Sequence, residues 1–266
     1  AEMLAFSWIR MNKPIIVQET IPQEAYEFLN QDQEKFRVFC VNRCISQKLA
    51  AQNGLELVEG YNTLQQLNYY KHMWQLTGKY WNYYTLSLPP EGTYTFEKIQ
   101  PDALSLGEFN VKYVISPHKL TDNNFELKKE VDEYLIYQNN LVYPRAYFWT
   151  DEQRPGEEAP LLKYTPNFIR ADTSKHNTTR LVLAEGWSPG WDAFLNGKEK
   201  VAVQERPNTL RLVDIKPDTK FVDFRYEPKS YNIGKTITFA TIIILVGVLL
   251  NKWKTSYNLS KKKNSF

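Results

Sequence analysis

The chain has 266 residues, 42% of them apolar and 24% charged, the balance of a folded protein with room for one large or two small cores. Its net charge of +3 belongs to one end: residues 233–266 hold six lysines (Lys235, Lys252, Lys254, Lys261, Lys262 and Lys263) and no acid, so setting those six aside leaves −3 for residues 1–232. A slightly acidic body excludes a nucleic-acid groove, which needs clustered Lys and Arg.

In chain order, "AEMLAFSWIRMNKP" has no signal-peptide pattern. Residues 1–14 are read as the end of a preceding membrane segment, with further segments expected upstream. Residues 15–150 mix helix and strand signals and predict an α+β subdomain. "PQEAYEFLNQ" places Ala25, Phe28 and Leu29 on one helical face, with Pro22 near its start. "FRVFCV" suits a buried strand, and "SQKLAAQNG" a short helix capped by Ser46 and stopped by Gly54. "NTLQQLNYYKHMWQLTG" predicts a helix with Leu64, Leu67, Lys71 and Trp74 along one stripe. "FNVKYVIS" alternates as a half-buried strand, and "EYLIYQNNLVYPRAYFW" reads as two strands about an Asn139-Asn140 turn.

Cys40 and Cys44, spaced C-x3-C, match no common zinc or redox motif, and the three histidines stand far apart. No metal site is expected, and the cysteines are read as packed or locally paired thiols. No Gly-rich phosphate loop, G-x-S-x-G or H-E-x-x-H occurs, so the residues name no catalytic group and no cofactor.

Residues 151–177, with three prolines in "TDEQRPGEEAPLLKYTPN", read as a linker. Residues 178–230 predict a small antiparallel β-sandwich-like module with strands at 180–185, 191–195, 199–204, 209–215 and 220–226. Within it, "GWSPGWDAFLNG" sets two tryptophans beside two turns. Trp191 shares a face with Ala193 and Leu195 and is expected to plug the open end of the sheet, mostly buried, with Trp187 more exposed. Aromatic residues are 14% of the chain, and such an excess serves cores, sugar stacking or membrane interfaces. The stacking candidates are Trp187, Tyr80, Trp81 and Tyr83, the last three from "KYWNYY".

"TITFATIIILVGVLL" carries no charge. A transmembrane helix over 233–251 spans roughly 27 Å, close to the bilayer core. Tyr231, Lys252, Trp253 and Lys254 stand where membrane-interface residues belong, and the lysines put a basic tail, 252–266, in the cytoplasm and the main domain outside.

"RLVLAEGWSPGWDAFLNGKE", then "FVDFRYEPKSYNIGKTIT" running into an apolar helix, resembles the C-terminal end of the YfhO-like family of bacterial multi-pass membrane proteins. "NGLELVEGYNTLQQLNYY", "NVKYVIS" and "YPRAYF" are similar to other segments of that family, and the likeness covers most of residues 15–250. It implies the extracytoplasmic domain of a GT-C-type glycosyltransferase. Such a protein uses polyprenyl-phosphate-linked sugar to modify a cell-envelope glycan or lipid, and its catalytic acid lies in an upstream loop. No catalytic residue is therefore carried over to this chain. The implied partners are the lipid bilayer, the polyprenyl-linked sugar and an envelope glycan. The alternatives are a glycan-binding or adhesion module on a membrane anchor, and a wall-polysaccharide hydrolase.

Overall fold

The computed structural model describes residues 21–42, 44–59, 66–77, 99–150, 156–175, 178–207 and 209–263. The chain is mixed α and β. Its first sheet contains β1 (Arg37–Cys40), β2 (Val111–Ser116), β3 (Phe125–Val131) and β4 (Tyr134–Asn139) in the order β1-β2-β4-β3. β1 and β2 are parallel and the other pairs antiparallel.

Both faces of this sheet are covered. Val38, Cys40, Tyr113, Ile115 and Ile136 pack against α1 (Gln23–Asn30) and α2 (Gln47–Gln52). Phe39, Val111, Val114 and Tyr137 point the other way, into a core shared with α3 (Leu67–Thr77) and α4 (Ala103–Glu108). β2 is therefore buried on both sides, where alternation alone predicted a half-buried strand. The cap of α2 is as expected: Ser46 Oγ accepts from Leu49 N at 3.2 Å, and Gly54 takes φ 70° past its end. On α1 the buried face is Ala25, Tyr26 and Leu29. The stripe expected on α3 is displaced: Leu67 and Lys71 are exposed, and Met73 is buried. Leu64 lies outside the described residues, as does the Trp74 side chain.

Cys40 is joined to Cys44 by a disulfide, the locally paired alternative of the two read from the sequence.

The remaining strands form two antiparallel sheets. One has the order β11-β12-β8-β5, from β5 (Ala146–Phe148), β8 (Arg180–Gly186), β11 (Gln204–Glu205) and β12 (Leu210–Asp214). The other has the order β10-β9-β13-β7-β6, from β6 (Leu161–Thr165), β7 (Phe168–Asp172), β9 (Trp191–Leu195), β10 (Glu199–Val201) and β13 (Phe221–Tyr226). Leu181, Leu183, Val213, Ala193, Val222 and Phe224 fill the space between them. Val182, Ala184, Leu210 and Leu212 face the opposite way, toward α3, α4 and the first sheet. The β8 sheet is thus the central layer of the molecule. That is why "LVLA" reads as an unbroken apolar run rather than an alternation.

Two readings need correction. The segment 151–177 is not a plain linker, because it supplies β6 and β7, and β7 pairs along all five of its residues with β13. β4 and β5 do not form a hairpin either. β4 pairs with β2 and β3, whereas β5 crosses to β8, because the chain after Asn139 turns back over α4. There Tyr143 N donates to Gly107 O at 3.0 Å.

β13 ends at Tyr226, and after Glu227 and Pro228 the chain enters α5 (Lys229–Lys263). α5 has 35 residues, and Lys229–Trp253 is long and apolar enough to cross a membrane. None of its apolar window is buried within the chain, so it is no core helix of the domain. Thr236, Thr238 and Thr241 return their hydroxyls to the carbonyls four residues earlier, each at 2.9 Å. This satisfies their polar groups without solvent, as a lipid environment requires.

Candidate functional site

Four charged side chains meet where the three sheets come together. Glu185, near the end of β8, is paired with Arg37 of β1 at 2.8 Å and with Arg145, just before β5, at 2.9 Å. Tyr164 of β6 donates its hydroxyl to the same carboxylate at 2.6 Å. Arg145 also reaches Glu56 at 2.7 Å and Asn110 Oδ1 at 3.0 Å, and Arg37 donates to Phe109 O at 2.9 Å. Burial alone would raise the Glu185 carboxyl, but Arg37, Arg145 and the Tyr164 hydroxyl outweigh it and hold it down to about 2. Arg145 engages a protein partner with each of its three guanidinium nitrogens and Arg37 with both of its Nη atoms, so the cluster clamps the layers together.

Beside this clamp lies the end of the sandwich that carries α5. Tyr226 pairs with Trp191 across β13 and β9, their rings 5.4 Å apart. The guanidinium of Arg211 lies 3.9 Å from the centroid of the Trp191 ring, and its Nε donates to Gly186 O at 3.1 Å. Burial pulls Arg211 down to about 10, still cationic at neutral pH. The turn before Trp191 is docked on the junction with α5. Glu227 N donates to Gly190 O at 2.8 Å, and a Cβ at Gly190 would stand 3.0 Å from Pro228 Cβ. Gly190 also takes φ 98°, which few other residues tolerate.

The tryptophans of this turn depart from expectation in degree. Both Trp187 and Trp191 are half-buried. Trp191 does close the sandwich end, over Arg211, but it keeps one edge in solvent. Trp187 fixes its indole by donating Nε1–H to Val203 O at 3.0 Å. Tyr80, Trp81 and Tyr83 lie outside the described residues. Tyr231 and Trp253 are exposed on α5, 22 residues apart, which corresponds to about 33 Å along a helix. Lys252 is exposed one residue before Trp253, and the side chain of Lys254 lies outside the described set.

At the same end of the sandwich, α3 and the β11–β12 turn hold between them a cavity of about 420 Å³, a size usual for small-molecule sites. Asn68, Lys71 and His72 line it from α3, and Glu205, Arg206 and Thr209 from the turn. His72 stacks on Phe109 with ring centroids 5.4 Å apart. Arg206 is held from behind: Nη1 donates to Tyr147 Oη at 3.0 Å, Nη2 reaches Glu108 at 3.1 Å, and the guanidinium lies 4.5 Å from the Trp149 ring centroid. Its Nε–H is buried and has no protein partner. Thr209 is buried, takes φ 64°, and leaves Oγ1 unpartnered. A β-branched residue in the left-handed region costs on the order of 1–3 kcal/mol and persists where its surroundings over-determine it. Here two backbone bonds do so, Thr209 N to Arg206 O at 2.8 Å and Trp187 N to Thr209 O at 2.7 Å.

The second of those bonds places the cavity. Trp187 to Gly190 is three Cα steps, at most about 11 Å, and one hydrogen bond at each end links that run to Thr209 and to Glu227 at the α5 junction. Sequence reasoning reads "RPNT" only as a turn and misses the site. Among the described residues, no group of three His, Cys, Asp or Glu side chains converges as metal ligands do. Comparison of the chain with family models, with curated proteins and with solved structures gave no match.

Proposed function

We propose that the chain is the extracytoplasmic C-terminal domain and last membrane helix of an integral membrane glycosyltransferase. The enzyme takes sugar from a polyprenyl-phosphate carrier and modifies a cell-envelope glycan or lipid, with its catalytic group outside this chain. The observation that carries this reading is the junction at Glu227 and Pro228. A folded sandwich passes in two residues into a helix able to cross a bilayer, with a polar cavity at that same end of the domain. A module tethered so closely stays over the membrane surface, where a lipid-linked donor presents its headgroup. The Cys40–Cys44 disulfide supports an outward-facing domain, since disulfides persist in oxidising compartments.

The test compares the full-length protein with a version lacking residues 15–230 and with this chain alone, using a polyprenyl-phosphate sugar as donor. The expected result is transfer by the full-length protein, strongly reduced transfer without the domain, and none by the chain alone. Undiminished transfer without residues 15–230 would leave adhesion as the better account. Turnover by the chain alone would overturn the non-catalytic assignment.

A further inference from the structure

The strand pairings show which loops lie at the α5 end of the sandwich. Tyr226, the last residue of β13, pairs with Trp191, Arg225 with Phe168, and Val201 with Ala193. The β6–β7 turn, the run from β8 to β9 and the segment after β10 therefore meet where α5 leaves. Residues 165–168, 186–191 and 201–203 read "TPNF", "GWSPGW" and "VAV", without one charge among them. Pro166, Pro189 and Ala202 are exposed, Phe168 and Trp187 are half-buried, and Tyr226 is exposed. The opposite end differs: Lys175, Lys198, Lys216, Asp218 and Lys220 all stand exposed on its turns.

We propose that these three loops seat the domain on the bilayer surface, with Pro166, Phe168, Trp187, Pro189, Ala202 and Tyr226 entering the headgroup layer beside α5. Aromatic rings favour that layer. The polar groups of the loops are largely spent on one another. Trp187 donates Nε1–H to Val203 O at 3.0 Å and its backbone N–H to Thr209 O at 2.7 Å. Tyr226 N donates to Asn167 O at 3.0 Å, and Glu227 N to Gly190 O at 2.8 Å. Groups paired in this way need no water, the condition for leaving it. The distance fits as well. From Lys229, where α5 begins, to Ile233, where the membrane span begins, is about 6 Å of helix. The polar layer on each side of a bilayer core is about 5–8 Å deep. Loops level with Tyr226 and Pro228 thus reach the headgroups. Charge edges the seat: Asp192 paired with Lys200 at 2.7 Å, Glu205 on the β11–β12 turn, and Glu227 and Lys229 at the junction itself. The proposal rests on the membrane-spanning reading of α5 and on no part of the transferase chemistry.

The experiment uses the whole chain in phosphatidylcholine nanodiscs, with an environment-sensitive fluorophore on one introduced cysteine, the native pair being closed in its disulfide. Asn167→Cys, Pro189→Cys and Ala202→Cys place the probe on the three loops, Lys198→Cys on the charged end and Ile243→Cys on α5, all at exposed positions. The quenchers are phosphatidylcholines carrying a nitroxide on the headgroup or midway along the acyl chain. The headgroup nitroxide should quench all three loop probes, whose emission shifts to the blue, and spare the probe at 198. The acyl-chain nitroxide should quench the probe at 243. Adding Pro189→Asp and Ala202→Asp to the Asn167→Cys chain puts two carboxylates in the seat without touching the core. The probe at 167 should then lose most of its quenching while the one at 243, measured in the same background, keeps its own. Loop probes left unquenched beside a quenched 243 overturn the seat and leave the anchor standing. An unquenched 243 overturns the membrane reading and the seat with it. Blue-shifted loop probes that neither nitroxide quenches would mean that protein covers the loops, a second copy or another part of this chain, and would overturn the bilayer as their partner. Equal quenching at 198 and at the loops, or quenching at 167 unchanged by the two aspartates, would also overturn the proposal.

Discussion

Glu185→Ala should lower the stability of the chain by roughly 3–5 kcal/mol, the usual cost of stripping one partner from a buried ion pair. The reason is not the strength of the bond that is lost. Arg37 and Arg145 are buried, with side-chain exposures of 10% and 3%, and the substitution leaves both without their shared counter-charge. Glu56 compensates only in part, because it reaches Arg145 and is itself partly exposed. Urea unfolding of the detergent-solubilised chain, followed by circular dichroism, measures the loss. The pH dependence has a defined sign. The folded carboxyl is depressed to about 2 from an ordinary value of 4.5, so its contribution is fully present above the ordinary carboxylate range. It fades as pH falls from there toward about 2. The wild-type stability curve should therefore drop through this acid window, and the drop should be shallower in Glu185→Ala. An Ala variant as stable as the wild type at neutral pH would mean that the clamp does not hold the layers.

Gly107→Ala is the second large effect. Within a helix this substitution ordinarily stabilises by about 1 kcal/mol. Here a Cβ would fall 1.9 Å from Leu141 O and 2.8 Å from Leu141 C, both backbone atoms. The segment after Asn139 cannot retreat freely, since Tyr143 N is bonded to Gly107 O and Asn110 Nδ2 donates to Tyr143 O at 2.8 Å. The expected outcome is destabilisation of about 3 kcal/mol, of the kind produced by overpacking. The sign alone decides the matter: a stabilised variant would show that the approach of α4 to this loop is looser than described. Because Asn110, Arg145 and Glu185 form one chain of hydrogen bonds, this variant and Glu185→Ala should be non-additive when combined.

How far the molecule was legible in its sequence differs from element to element, for physical reasons. The C-terminal strands were legible because turn residues punctuate them. Gly190, Asn196 and Gly197 all take positive φ, and the predicted strands at 180–185, 191–195 and 220–226 lie within one residue of β8, β9 and β13 at each end. The apolar helix was legible because no core inside the chain competes for its surface. What failed was pairing. Nothing local distinguishes a β4–β5 hairpin from a crossover between sheets, and the proline-rich stretch hid the β6–β7 pair, which joins its sheet only through β7 and a partner, β13, about fifty residues downstream. The clamp did leave a trace: Arg37 in "FRVFCV" and Glu185 in "LVLAEG" are each a lone charge in an apolar run. Such a charge is affordable only with a partner, but the sequence does not say which one. The cavity left no trace, because Lys71, Arg206 and Thr209 come from segments more than a hundred residues apart and are ordinary surface residue types.

Accessibility of two engineered cysteines in intact cells tests the proposed architecture most directly. Asn123→Cys lies on an exposed turn of the domain, Ser265→Cys lies in the lysine-rich tail, and the native cysteines are held in their disulfide. A membrane-impermeant maleimide should label Cys at 123 in intact cells, and should label Cys at 265 only after the membrane is opened. Labelling at 265 in intact cells, with 123 protected, would contradict the outward orientation and with it the proposed access to a lipid-linked donor outside the cytoplasm.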